Sequence, residues 1–95
     1  MDNYRLIVSY DITDDKKRNE MVEHLHYMGL FRIQYSVFAG FVPRKRYDCL
    51  VSGCMEWCST DEDRLLIIPV CKACHERIVS VNDHFPEEEQ DYLVI

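Results

Sequence analysis

Sheets of mixed α and β structure present chemistry where buried strands end, and Asp11 stands at such an end, after the apolar run "YRLIVSY" and before "TDDKKR". Two readings of this acidic group are open. Asp14 and Asp15 suit the cap and first turn of a helix, and Asp11 could share that duty. Alternatively, Asp11 holds a hard divalent cation. One carboxylate makes a poor metal site, but a two-fold axis that brings a second copy alongside supplies the additional oxygen ligands such an ion takes. Lys16, Lys17 and Arg18 follow at once, Arg32 comes later, and Arg44, Lys45 and Arg46 form a third basic group. Together with Arg32, the first group could offer phosphates one cationic surface, or it could be the solvated face of a helix. Phe38 shares the parity of Arg32, which would set a ring near these cations; as a large apolar residue it also suits a core.

The thiols offer a second chemistry. "CMEWC" and "CKAC" give C-x3-C and C-x2-C, with twelve residues between Cys58 and Cys71, close to zinc-finger spacing. Against zinc, Cys54 and Cys58 fall on the apolar stripe of a helix pattern and Cys71 ends an apolar strand, where a free cysteine acts as a small buried hydrophobe. The thiols are therefore expected to be structural. His24, His26, His75 and His84 form no i, i+4 pair around a glutamate, and no glycine-rich phosphate loop or nucleophile elbow occurs.

The elements that must position these groups follow from period and punctuation. Residues 4–12 read as a strand buried on both faces. A helix is expected from Thr13 or Asp14 to about Tyr27, with Met21, Val22, Leu25 and Met28 on its buried stripe, Lys17, Arg18 and His24 off it, and Gly29 after it. "FRIQYSVFAG" alternates, with Arg32, Gln34 and Ser36 on one parity and Ile33, Tyr35 and Val37 on the other. It predicts a kinked strand, or two short strands folded near Ser36, with a bulge permitted at Gly40. Residues 44–58 carry a helical pattern with Gly53 as its soft point. "RLLIIPV" is a strand whose Pro69 belongs at an edge or an end. "RIVSVN" and "DYLVI" complete the set as short strands. The order β-α-β-β-α-β predicts a ferredoxin-like α/β (α+β) sandwich over residues 1–82, with an acidic tail and terminal strand over residues 83–95.

Ninety-five residues form one marginal core, for which a homodimer is a natural source of added stability. The net charge of -6 would disfavour a nucleic-acid-coating role if spread evenly, but residues 83–95 carry -5 of it and the preceding 82 residues only -1. No apolar run is long enough for a membrane helix, and the start is no signal peptide. The expected location is cytoplasmic, with reduced thiols and no membrane partner.

Three segments in order, "VSYDITDDKKRNEM", "GLFRIQYSVFAG" and "IIPVCKAC", resemble the CRISPR-associated protein 2 family across residues 4–81. The resemblance implies a ferredoxin-like homodimer in which terminal strands of one protomer complete the sheet of the other. It implies that one face of "RIQYSVF" looks toward the dimer cleft while the other parity packs on helices. It makes Asp11 the metal-binding carboxylate, paired with its symmetry mate and flanked by Tyr10. Arg18 and Arg32 match positions of nucleic-acid contact or activity, Phe38 matches the aromatic of "SVF", and Ser36 becomes a partner of the site. Glu20 stands where some relatives carry a basic residue. The implied role is spacer acquisition, bridging the CRISPR-associated integrase and supporting prespacer DNA, with Mg2+-dependent endonuclease activity on DNA or RNA as a family property. A toxin-like metal-dependent ribonuclease of the same fold, outside any CRISPR system, is the alternative.

Overall fold

The apolar, β-branched start of the chain forms the central strand of the computed structural model, which describes residues 3–85. This strand, β1 (Asn3–Asp11), pairs antiparallel with two neighbours, so its side chains point alternately to the two sheet faces. α1 (Asp15–Tyr27) begins where Asp14 turns out of the extended region and accepts the Lys17 N–H at 2.9 Å. It ends at Met28, and Gly29 follows at φ 95°, a left-handed conformation that glycine adopts without strain. β2 (Leu30–Gln34) and β3 (Val37–Pro43) form a hairpin through Tyr35 and Ser36. α2 (Arg44–Glu56), β4 (Arg64–Val70) and the short α3 (Lys72–Glu76) complete the described chain.

The sheet order is β2-β3-β1-β4, all antiparallel, which is the expected ferredoxin-like arrangement. Both long helices cover one face. Leu6, Val8 and Tyr10 of β1 and Phe38 and Val42 of β3 pack there against Met21 and Leu25 of α1 and Leu50 and Cys54 of α2. The other parity, Ile7 and Ser9 in β1, is only half-buried. The expectation of a strand buried on both faces is thus corrected: α1 and α2 form a single layer, and the second face is left largely open, with His75 of α3 reaching Phe41 at its edge at 5.5 Å.

Two glycines have other duties than those expected. Gly40 makes no bulge; a Cβ there would meet the Leu30 side chain at 2.8 Å, so it permits close packing between β2 and β3. The register shift lies instead between Arg32 and Gln34. Gly53 likewise admits the ring of His24, whose Nε2 lies 3.1 Å from the Leu50 carbonyl oxygen, so His24 belongs to the interhelical contact rather than to a free face. Met55, near the end of α2, is exposed.

"RIVSVN" forms no strand. After α3 the Ile78 N–H closes a turn on the His75 carbonyl, Asn82 takes a positive φ of 67°, and Val79 and Val81 are exposed. Alternating apolar residues need a neighbouring strand, and among the described residues none lies beside them. "DYLVI" lies outside the described residues. Pro69 sits on the edge strand β4, as its missing N–H requires. No helix of the described residues is long and apolar enough to cross a membrane.

Candidate functional site

Asp11 is exposed at the end of β1, on the parity of Ile7 and Ser9, and therefore on the uncovered face. Arg64 opposes it in the β4 register. Neighbouring groups hold this strand end from two sides. The Tyr10 N–H donates to the Ser36 carbonyl at 3.1 Å, tying the β2–β3 turn to it, so Ser36 contributes through its backbone. On the other side Asp63 accepts the Thr13 N–H at 3.0 Å and the Thr13 hydroxyl at 3.2 Å, and also the N–H groups of Ser59 and Thr60 at 2.9 and 3.1 Å. These donors, led by the Thr13 amide, lower the Asp63 pKa to about 2. Sequence reading passed over Asp63. The signal was "STDED" directly before a strand, a run of side chains that close turns on their own backbone.

The cations gather elsewhere. Arg18 donates to the Ile12 carbonyl at 2.9 Å and to the Asp15 carboxylate, and it lies within electrostatic reach of Tyr10 and Tyr35. Arg32, exposed, places its guanidinium carbon 5.4 Å from the Phe38 ring centroid and 6.0 Å from that of Tyr35. His26 meets the Phe38 ring edge-on at 5.1 Å, and the Tyr10 ring lies 6.2 Å from it. Phe38 itself is 0 % exposed, so Arg32 and His26 form a polar rim over a buried ring. Sequence reading missed His26 and Tyr35, because a lone histidine on a helix gives no spacing signal and Tyr35 lies on the other parity of its segment.

The register also corrects the expected orientation of this segment. Arg32 opposes Phe38, and Phe38 opposes Val8, so Arg32 and Phe38 point to the helical side of the sheet. Arg32 escapes burial because β2 is an edge strand. Phe31, Ile7 and Ile68, in register with Ala39, occupy the uncovered face instead. Gln34 donates to the Asp83 carboxylate at 2.8 Å, and an open groove of about 490 Å³ lined by Arg32, Ile33, Asn82, Asp83 and His84 runs beside it.

The remaining basic residues are not brought to this rim. Lys16 is exposed and Lys17 donates to the Ser59 hydroxyl at 2.7 Å. Arg44, Lys45 and Arg46 open α2 beside the start of β1, where Arg44 stacks 4.5 Å from the Tyr4 ring centroid and donates to the Tyr4 hydroxyl at 3.1 Å. The nine residues of β1 separate that end from Asp11 by roughly 27 Å.

The four candidate zinc ligands divide into two environments. Cys54 is in the core, where burial pushes its thiol up to about 12, and half-buried Cys58 is also raised, by burial and by the charge of Asp63. Cys71 and Cys74 are exposed, which corrects the expectation of a buried Cys71: β4 ends at Val70, and the chain turns outward into α3. No group of three or more histidine, cysteine, aspartate or glutamate residues that could hold a metal occurs among the described residues of one chain.

A family model for CRISPR associated protein Cas2 matches residues 4–78. CRISPR-associated endoribonuclease Cas2 1 of Methanospirillum hungatei is 36 % identical over 90 residues, covering 95 % of each chain. A protein of the same name from Archaeoglobus fulgidus is 31 % identical over 77 residues, covering 81 % of this chain and 82 % of its own. Among solved structures, the hypothetical protein TT1823 of Thermus thermophilus superposes with a TM-score of 0.69 at 26 % identity, over 90 % of this chain and 99 % of its own. A structure described as cas2 shares the fold at a TM-score of 0.68 and 24 % identity, over 90 % and 95 % of the two chains. Asp11, the Phe38 rim, β1 from Tyr4 onward and the other three strands fall within the span the family model matches, and the chain belongs to the CRISPR-associated Cas2 family.

Proposed function

We propose that this chain acts as a homodimer that cleaves nucleic-acid phosphodiesters with the help of a divalent cation, as the endoribonuclease names of its relatives suggest. The observation that carries the reading is the place of Asp11, exposed at a strand end on an uncovered face that also bears Phe31, Leu66 and Ile68. A second copy packed on that face would cover its apolar surface and set two Asp11 residues beside one axis. Among the described residues one chain alone offers no cluster of ligands, whereas two aspartates would provide oxygen donors only, the kind Mg2+ takes while keeping several of its waters. A cation held there would neutralise charge on the scissile phosphate.

The chain's own residues do the rest. Exposed Arg32, braced on the Phe38 and Tyr35 rings, binds a phosphate beside the cleaved one. Arg18 donates to the Ile12 carbonyl and the Asp15 carboxylate and so positions the loop after Asp11. Tyr10 and Phe38, both buried, act by holding the strand end and Arg32 in place. The Tyr35–Ser36 turn joins the two groups, since it is bonded to Tyr10 and stacked under Arg32.

A second role, bridging the CRISPR-associated integrase on prespacer DNA during spacer acquisition, draws support from the exposed Arg44, Lys45 and Arg46. They lie about eight nucleotide steps from Asp11 at ~3.4 Å per step, so duplex contact there needs no carboxylate. The comparisons lend no support to a toxin-like ribonuclease outside a CRISPR system.

Cleavage of single-stranded RNA and duplex DNA, with and without Mg2+, tests the first role alongside an integration assay for the second. Asp11→Asn should lower cleavage at least about 100-fold, the scale on which loss of transition-state charge stabilisation acts, while sedimentation still shows a dimer. Cleavage at the parent rate by that dimer would end the catalytic reading. Loss of integration together with cleavage would end the non-catalytic bridging role. Replacing Arg44, Lys45 and Arg46 by alanine should instead weaken duplex binding and flatten its salt dependence.

A further inference from the structure

Val70 ends β4, and Cys71 follows as the residue that opens α3, with φ -73° and ψ 164°. Its sulfur accepts the Cys74 N–H at 3.4 Å, and the Cys74 thiol lies within hydrogen-bonding reach of the same sulfur. Both residues are exposed. Two thiols three residues apart, one on the capping residue and one in the first turn, stand at the same end of α3, where the Cys74 N–H already meets the Cys71 sulfur. The neighbouring His75 stacks edge-on against Phe41 at 5.5 Å, which fastens the turn that carries them.

We infer that Cys71 and Cys74 form a redox-active dithiol whose substrates are accessible disulfides of small thiols, and that it closes to an intramolecular disulfide. The roles within the pair are unequal. Hydrogen bonds from the Cys74 amide, and next from the Cys74 thiol, lower the Cys71 pKa, whereas donating to Cys71 raises that of Cys74. Cys71 is therefore the attacking thiolate and Cys74 the protonated, resolving thiol. Cys71 attacks one sulfur of R–S–S–R, forming a mixed disulfide and releasing RS⁻, which takes up a proton. Cys74 then loses its proton, attacks the Cys71 sulfur and releases the second RSH. Two electrons pass from the dithiol to R–S–S–R, giving one protein disulfide and two RSH. Cys54 and Cys58, a similar pair by spacing, are withheld from this chemistry by burial, which raises both.

The test is incubation of the full chain with oxidised glutathione at neutral pH, quenching by alkylation and peptide mass mapping. Cys71 should react roughly threefold to tenfold faster than Cys49, a lone exposed thiol in the same molecule. The wild type should accumulate a Cys71–Cys74 disulfide, and Cys74→Ser should stall as a glutathione adduct on Cys71. Iodoacetamide labelling of the unsubstituted, reduced protein provides the same comparison without any variant. Equal rates at Cys71 and Cys49, or a disulfide that links either residue to another cysteine, would overturn the inference.

Discussion

The two faces of the sheet are made from the same apolar residue types, yet only one is finished. On the helical side Val8 and Phe38 are 0 % exposed and pack between Met21, Leu25, Leu50 and Cys54. On the other side Phe31 is 54 %, Leu66 62 % and Ile68 43 % exposed. A patch of this kind can serve as an interaction surface, and the proposed dimer would cover it. The chemistry divides along the same line: Asp11 belongs to the unfinished face, whereas Arg32 and His26 rim the finished one around Phe38. The face that folds the chain therefore seats the guanidinium of Arg32, and the face left open carries the carboxylate of Asp11.

The comparison breaks most severely at Phe38. Phe38→Ala removes a fully buried ring that Tyr10, His26 and Arg32 all touch, at a cost of about 3–5 kcal/mol. Set against a domain stability of about 5–15 kcal/mol, that leaves a marginal fold. Denaturant melts should show a large fall in midpoint with little change in slope. Phe31→Ala, the same deletion on the open face, should cost the isolated subunit far less, and equal losses would show that the two faces do not differ as described.

Asp63 sharpens the comparison at the rim where the faces meet. Its carboxylate pKa of about 2 lies below the ordinary value near 3.8, so its bonds to Thr13, Ser59 and Thr60 stabilise the fold fully above the ordinary value. That contribution fades as pH falls from about 4 toward 2. Asp63→Asn should lower Tm by roughly 5 °C at neutral pH, about what loss of one capping interaction costs a domain of this size, and should flatten the acid limb of the Tm profile. An unchanged profile below pH 4 would remove Asp63 from the fastening of the Asp11 strand end.

The sequence carried β1, α1 with its Asp14 cap and Gly29 stop, and β4 with its edge proline, because each is written in local period and punctuation. Asp11 was legible for the same reason, as a strand-end carboxylate. The facing of Arg32 was not. Parity within "FRIQYSVF" is local, but which parity meets the helices depends on pairing with β1, and a bulge between Arg32 and Gln34 shifts it. His26 was missed because its partner Phe38 is twelve residues away, and the tie of Asp63 to the Asp11 strand end was missed because Thr13 is fifty residues away, although its bonds to Ser59 and Thr60 are local. "RIVSVN" misled because alternation shows fitness for a sheet and nothing about whether a neighbour exists.

The smallest effect on the lone subunit should come from the open face, and there the consequence lies in assembly. Ile68 opposes Ile7, which opposes Ala39 and then Phe31, an apolar row across all four strands; Leu66 opposes Ser9 and Val37 in the next row. Replacing Leu66 and Ile68 by lysine leaves both new charges in water while the chain is alone, so its stability should shift by no more than about 1 kcal/mol. In a dimer packed on this face the same two lysines would be buried without partners, costing several kcal/mol and weakening Kd by at least about 100-fold. Sedimentation across a concentration series reads the assembly, and a denaturant melt of the dissociated variant reads the fold. Asp11 shares this parity two residues beyond Ser9, so dissociation should lower cleavage alongside dimerisation, whereas Asp11→Asn lowers cleavage with the dimer intact. A lysine variant that dimerised as tightly as its parent would move the interface to another surface, and the pairing of two Asp11 carboxylates would lose its physical basis.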